Sequence, residues 1–208
     1  FNGIMRDKSA IETAGTGTLV LVKNGAGTLT LGGGNIRHTG GTTIDAGTLV
    51  LNNTTFMTGQ ITNNNATLVF DNSGDQRFIT PYTDTTALLT EKRGGGNLIL
   101  GEGSIVARTT NTSKTVTVYS GGLEPGMPIT GANIPAGTTI DSIVDINTIL
   151  ISNAATGTAT SGLTVTGGGT RTFASPFLAS DGTVIFRANT VFNAGLTTDG
   201  ANLTIDAG

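Results

Sequence analysis

A five-residue phrase that recurs along the chain constrains its fold more than any other sequence feature. The phrase runs small or turn residue, Thr or Asn, apolar, variable, apolar. It occurs at Gly17-Thr18-Leu19-Val20-Leu21, Gly27-Thr28-Leu29-Thr30-Leu31, Gly47-Thr48-Leu49-Val50-Leu51, Ala66-Thr67-Leu68-Val69-Phe70 and Gly96-Asn97-Leu98-Ile99-Leu100. It returns at Gly182-Thr183-Val184-Ile185-Phe186 and Ala201-Asn202-Leu203-Thr204-Ile205. The copies through residue 96 start 10, 20, 19 and 30 positions apart, and the last two start 19 apart. One short strand with its turn uses about ten residues. Two or three such strands make a coil of roughly 20 to 30 residues, the period of a β-solenoid. Thr43-Ile44-Asp45-Ala46-Gly47 also returns letter for letter as Thr204-Ile205-Asp206-Ala207-Gly208, so the chain is expected to end in mid-repeat.

Alternation along each phrase assigns its faces, because successive strand side chains point to opposite sides. Leu19, Leu21, Leu29, Leu31, Leu49, Leu51, Leu68, Phe70, Leu98 and Leu100 are expected inside. Thr18, Thr28, Thr30, Thr48 and Thr67 are expected outside, together with Val20, Val50, Val69 and Ile99. Composition agrees with many short strands joined by turns. Charged residues are 12% of the chain, about half the usual share. Thr, Val and Ile suit a pleated surface, and 32 glycines supply turn conformations.

Residues 20–52 resemble the autotransporter-associated β-strand repeat of bacterial type V passenger proteins. The resemblance rests on Val20-Leu21-Val22-Lys23-Asn24-Gly25-Ala26-Gly27-Thr28-Leu29-Thr30-Leu31 and on Gly40-Gly41-Thr42-Thr43-Ile44-Asp45-Ala46-Gly47-Thr48-Leu49-Val50-Leu51. It implies an all-β, right-handed parallel β-helix (solenoid), exported and extracellular or at the cell surface, associated with a bacterial outer membrane. It brings no catalytic residues.

Four segments are expected. Residues 1–14, rich in charge, form an N-terminal adaptor or docking strand. Residues 15–108 carry β-helix repeats, with 72–93 as a longer loop between coils. Residues 109–168 break the pattern and form a small β-insert module. Its strands are expected at Thr115–Val118, Pro128–Thr130, Thr138–Val144, Thr148–Ser152 and Leu163–Thr166. The run Gly126-Met127-Pro128-Ile129-Thr130-Gly131 and Ile134-Pro135-Ala136-Gly137-Thr138-Thr139-Ile140 resembles small β-modules of bacterial surface and phage structural proteins. Residues 169–208 resume the β-helix.

No constellation of reactive residues emerges. His38 is the sole histidine and reads as a surface turn residue. With no cysteine, zinc fingers, thiol chemistry and disulfide scaffolds are excluded. Lys92-Arg93 is the densest basic spot and reads as a solvated turn, too small to bind a phosphate backbone. No apolar run approaches the ~18 residues of a membrane helix. Asp71-Asn72-Ser73-Gly74-Asp75 could form a calcium loop but lacks the EF-hand alternation, and a turn is the simpler reading. Asp71, Asp75, Asp181, Asp199 and Glu102 are scattered singly, which weighs against the carboxylate cluster of a polysaccharide lyase or hydrolase. Gly94-Gly95-Gly96 and Gly167-Gly168-Gly169 lack phosphate-loop spacing.

The expectation is therefore a non-catalytic structural stalk or fibre segment, with no catalytic, cofactor-binding or metal-binding residues and no cofactor. Its partners would be neighbouring repeats or copies of itself, stacked head to tail. Two alternatives stand beside it: an adhesin or glycan-binding passenger that contacts a host or glycan surface through 109–168, and a phage fibre component.

Overall fold

A computed structural model describes residues 1–2, 5–6, 18–32, 36–38, 40–52, 59–118, 123, 125–145, 147–166, 170–187 and 190–205. Most of the 1–14 segment, Gly17 and the Gly167–Gly169 triplet lie outside the described residues. Every regular element among the described residues is a strand.

The first stretch lays down β1 (Met5–Arg6), β2 (Leu21–Lys23), β3 (Thr28–Gly32), β4 (Ile36–Arg37), β5 (Thr42–Ile44) and β6 (Thr48–Asn52). It continues with β7 (Ile61–Asn63), β8 (Thr67–Asp71), β9 (Gln76–Phe78), β10 (Tyr82–Asp84), β11 (Leu89–Arg93) and β12 (Asn97–Leu100). Next come β13 (Glu102–Thr109), β14 (Thr115–Val118), β15 (Ile129–Gly131), β16 (Ile140–Asp145), β17 (Thr148–Ile151) and β18 (Ala159–Thr166). The chain closes with β19 (Arg171–Phe173), β20 (Phe177–Ala179), β21 (Thr183–Phe186), β22 (Thr190–Phe192), β23 (Leu196–Thr198) and β24 (Asn202–Ile205).

Three parallel sheets form the walls of a β-solenoid. The first has the order β2-β5-β7-β10-β19-β22, the second β3-β6-β8-β11-β20-β23, and the third β9-β12-β21-β24. β1 pairs in parallel with β4. First-wall strands start at residues 21, 42, 61 and 82, so one coil takes 19 to 21 residues and three strands. The decade spacing thus reflects phrases landing on different walls of a coil of about twenty residues.

The interior is built as the alternation dictates. Leu31, Leu49, Leu51, Leu68, Phe70, Leu98 and Leu100 are fully buried in one cluster that runs through the stack. Burying such a side chain contributes about 1.5–3 kcal/mol, but only when the rungs above and below are present. Larger rings fill the later coils. Tyr82 packs on Phe173 at 4.7 Å between centroids, and Phe173 stacks on Phe192 at 5.0 Å.

Three expectations need correction. Leu19 is 39% exposed, because it precedes β2 and lies outside the stacked strands. Val69 and Ile99, expected outside, are buried although they do not belong to the interior cluster. In-register stacking places Val50 and Glu91 beside Val69, and Arg77 and Ile185 beside Ile99, so neighbours on the outer surface shield them. The 72–93 stretch is no loop: it forms β9, β10 and β11 in regular register. Its polar letters hid it, since Gln76, Tyr82, Asp84 and Lys92 all point into buried positions.

Residues 102–166 leave the stack as an antiparallel sheet of order β15-β18-β13-β14-β17-β16. Its strands overlap the five segments expected there with ends the same, shifted by one or two residues or, in β18, extended by four, and β13 adds a sixth that begins seven residues before 109. The two edges meet. Pro128 bridges Thr139, the Ile129 amide donates to the Thr138 carbonyl (3.0 Å), and the Ile140 amide donates to Met127 (2.9 Å). The sheet is therefore closed into a small barrel, filled by Ile105, Val116, Ile129, Ile149, Leu163 and their neighbours. Closure removes the exposed edges that an open sheet would present.

Candidate functional site

The polar chemistry of the molecule is concentrated at coil corners and at the junction with the barrel. Lys92, read from sequence as solvated, is fully buried. Its Nζ donates to the carbonyls of Arg93 (2.7 Å), Gly94 and Asp181 (3.2 Å). Lys23 does the same one corner earlier in its coil, donating to Asn24 (3.4 Å), Gly25 (2.7 Å) and Ala46 (2.8 Å). Each ammonium thus satisfies carbonyls of its own turn and of the next coil. The turns need glycine for a related reason. Gly47 has φ +72°, and a Cβ there would run into the Gly25 and Gly27 carbonyls of the coil beside it. Burial holds the Lys92 ammonium below the usual lysine range, an effect the Asp181 and Asp71 carboxylates oppose. Arg93 points out and pairs with Glu91 at 2.7 Å. That hydrogen bond, ahead of Arg93's charge, lowers the Glu91 carboxyl from its ordinary value.

A second polar group lies where the chain rejoins the stack after the barrel. Asp84, buried, accepts from the Ala174 amide, from the Ser175 amide (3.2 Å) and from the Ser175 hydroxyl. The Tyr82 hydroxyl reaches Asp84 (3.3 Å), Asn63 (3.2 Å) and Thr90 (3.2 Å). Burial pushes the Tyr82 phenol well above its ordinary value. Buried Arg171 donates to the Ile79 carbonyl at 2.8 Å. Glu102, the first residue of β13, lies between Arg77 (3.1 Å) and Arg187 (3.4 Å). These contacts join residues before the insert to residues after it.

His38 is a correction as well: it is buried, with Nε2 2.8 Å from Thr42 Oγ1. In the proposed calcium loop, Asn72 donates to the Gly74 (2.6 Å) and Asn97 (2.9 Å) carbonyls, and Asp75 accepts from Asn97 (2.8 Å). Those groups hold the corner together. Asp181 accepts from the Gly182 amide at 2.7 Å, and Asp199 is exposed in the corner after β23. Among the described residues no three His, Asp or Glu side chains converge on a metal position.

One open groove of about 290 Å³ crosses the first wall, lined by Gly40, Gly41, Thr42, Thr43, Gln60 and Thr62. Thr43, Thr62, Thr83 and Thr172 stand in register on the outer face, between Val22 and Val191 at the two ends. Gln60 donates to Thr83 at 3.2 Å. Sequence reasoning missed this column because its threonines are 19 to 89 residues apart and align only once the coil length is known.

Residues 21–51 match the family described as passenger-associated-transport-repeat. This stretch covers β2 to β6, almost the same residues that carry the sequence resemblance, and it includes the buried Lys23 and the close-packed Gly47. Within the parallel stack this stretch is thus similar to a passenger-associated repeat. A search of curated proteins finds no match. No helix among the described residues is long and apolar enough to cross a membrane.

Proposed function

We propose that this chain is a non-catalytic structural segment of an exported passenger-type protein, a solenoid that carries a small barrel on its flank. One observation supports the reading above all. The parallel register passes straight across the insertion: Tyr82 pairs with Arg171, Thr90 with Phe177 and Leu98 with Val184. The stack therefore does not depend on the barrel for its continuity, and the barrel is free to serve as a displayed module. This supports the segment division, with repeats on either side of one insert. Neighbouring coils of the same kind are the natural partners, because a parallel edge strand pairs with another strand in the same register.

Location tests the reading. Antibody raised against the barrel should label intact, unpermeabilised cells that make the protein, or its culture supernatant. Signal that appears only after permeabilisation would refute export and display together.

A further inference from the structure

The barrel has two ends, and they differ. β13 leaves the solenoid at Glu102 and β18 returns at Thr166, paired with it over their full length, Glu102 to Thr166 and Thr109 to Ala159. Eight residues in a strand span about 23 Å. The Thr109/Ala159 end is therefore the end far from the stack. The turn 110–114, the loop 132–139 and the loop 152–158 all gather there, since Thr115 pairs with Leu150, Ile140 with Ile151, and Gly131 with Leu163.

Among the described residues two non-glycine residues have positive φ, Thr112 (61°) and Asn133 (65°), and both belong to this tip. Left-handed backbone is costly for a β-branched residue and persists only where surroundings enforce it. Here the enforcement comes from the 152–158 loop. The Thr112 amide donates to Ala155 (2.8 Å), the Ala155 amide to Ser113 (2.9 Å), and the Thr156 amide to Asn133 (3.0 Å). The Asn111 amide donates to Thr158 Oγ1 (2.9 Å), and Thr109 Oγ1 donates to the Gly157 carbonyl (2.9 Å). Three loops are thus fixed as one rigid surface, which lowers the ordering cost of binding anything.

The tip's chemistry selects the ligand class. Asn111, Thr112, Asn153, Thr156 and Thr158 are exposed. Residues 110–114, 132–139 and 152–158 hold no carboxylate and no aromatic ring, and a single cation, Lys114. Such a surface offers hydroxyls and amides to a polyhydroxylated partner, and offers little to a membrane, a nucleic acid or an apolar peptide. We infer that the distal tip of the barrel is a preformed binding surface for a neutral glycan, an inference that rests on the barrel being a displayed module.

The test uses the full chain on an array of neutral and acidic oligosaccharides, followed by calorimetric titration of the best neutral binder. Asn111→Ala combined with Thr156→Ala should weaken that binding at least tenfold with an unchanged melting curve. Thr112→Gly, which keeps the backbone conformation and removes the side chain, should weaken it as well. Asp145→Asn, at the barrel's near end, and Thr62→Ala, on the solenoid column, should leave it within twofold. Binding lost in Asp145→Asn but kept in the tip variants would overturn the tip while sparing the display reading. Binding lost in Thr62→Ala would move the site to the solenoid and overturn the tip proposal, while the antibody-labelling experiment still decides the display reading. Binding of no glycan, or of acidic ones alone, would overturn the tip proposal.

Discussion

Replacing Lys92 by Met keeps most of the side-chain volume and removes the ammonium. The carbonyls of Arg93, Gly94 and Asp181 then lose their shared donor. A hydrogen bond to a charged group contributes about 1.5–3 kcal/mol, and an orphaned buried acceptor costs about 1–3 kcal/mol. Against this stands the recovered desolvation penalty of the ammonium, several kcal/mol. Its presence is signalled by the lowered Lys92 pKa. Water reaching a corner carbonyl recovers part of the loss. The balance is a destabilisation of about 2–4 kcal/mol. Arg93→Met, one residue on, removes an ion pair whose guanidinium is 55% exposed, and should cost less than about 1 kcal/mol. Repeat stacks seldom unfold in one step, so a local measurement is the better one. The Ser180 amide donates to Lys92 (2.9 Å) and the Thr183 amide to Gly96 (3.4 Å), on either side of this corner. At about 1.4 kcal/mol per decade, their hydrogen-exchange protection should fall roughly 30- to 700-fold in Lys92→Met. Protection equal in the two variants, or higher in Lys92→Met, would refute the reasoning that the ammonium holds the corner together.

Two further perturbations test the interior. Burial raises the Tyr82 phenol above its ordinary value, while an unfolded phenol ionises near 10. Its contribution is then complete below about pH 10 and is lost as pH rises, so Tyr82→Phe should lose less stability between pH 9 and 11 than the parent in urea titrations; equal losses would contradict this. Gly47→Ala places a Cβ against two carbonyls at φ +72° and should cost at least about 2 kcal/mol, whereas Gly74→Ala meets open space and should be within about 0.5 kcal/mol by the same titration.

The strands were legible where the phrase is apolar. Leu49-Val50-Leu51 announces its strand and its faces by alternation alone, and alternation likewise turns Leu98 and Leu100 inward although Ile99 between them is buried too. What alternation cannot reveal is a polar side chain that satisfies a turn from within. Lys23-Asn24-Gly25-Ala26-Gly27-Thr28-Leu29 and Lys92-Arg93-Gly94-Gly95-Gly96-Asn97-Leu98 are two copies of one longer phrase. The first turns from β2 to β3 and the second from β11 to β12, so the phrase encodes a corner and not a position in the coil. Hydropathy places both lysines in water. Their common offset from the glycines is the signal that could have placed them inside. The barrel's strands were legible by the same alternation, but its closure was not, because β15 and β16, adjacent in sequence, turn out to be the two edges of a sheet with four strands between them, and only that order makes their contact a closure. The tip was hidden for the same reason.

The junction shows why a solenoid tolerates such an insert. Successive first-wall strands are normally about twenty residues apart, but β10 and β19 pair across 89 positions, Tyr82 to Arg171. Closing the longer loop with flexible chain would cost about 1.3 kcal/mol more than closing the shorter one. That penalty is small, and the barrel reduces it further by bringing its ends together: Glu102 pairs with Thr166, so exit and return lie about one strand spacing apart. The Asp84 carboxylate then caps the returning chain at Ala174 and Ser175, and Glu102 joins Arg77 to Arg187 across the joint. Even one hydrogen bond to the buried carboxylate, at about 1.5–3 kcal/mol, exceeds the extra closure cost. The polar contacts at the joint therefore offset the cost of the longer loop, and the stack keeps its register across it. A wall organised this way can change the module it carries without refolding itself.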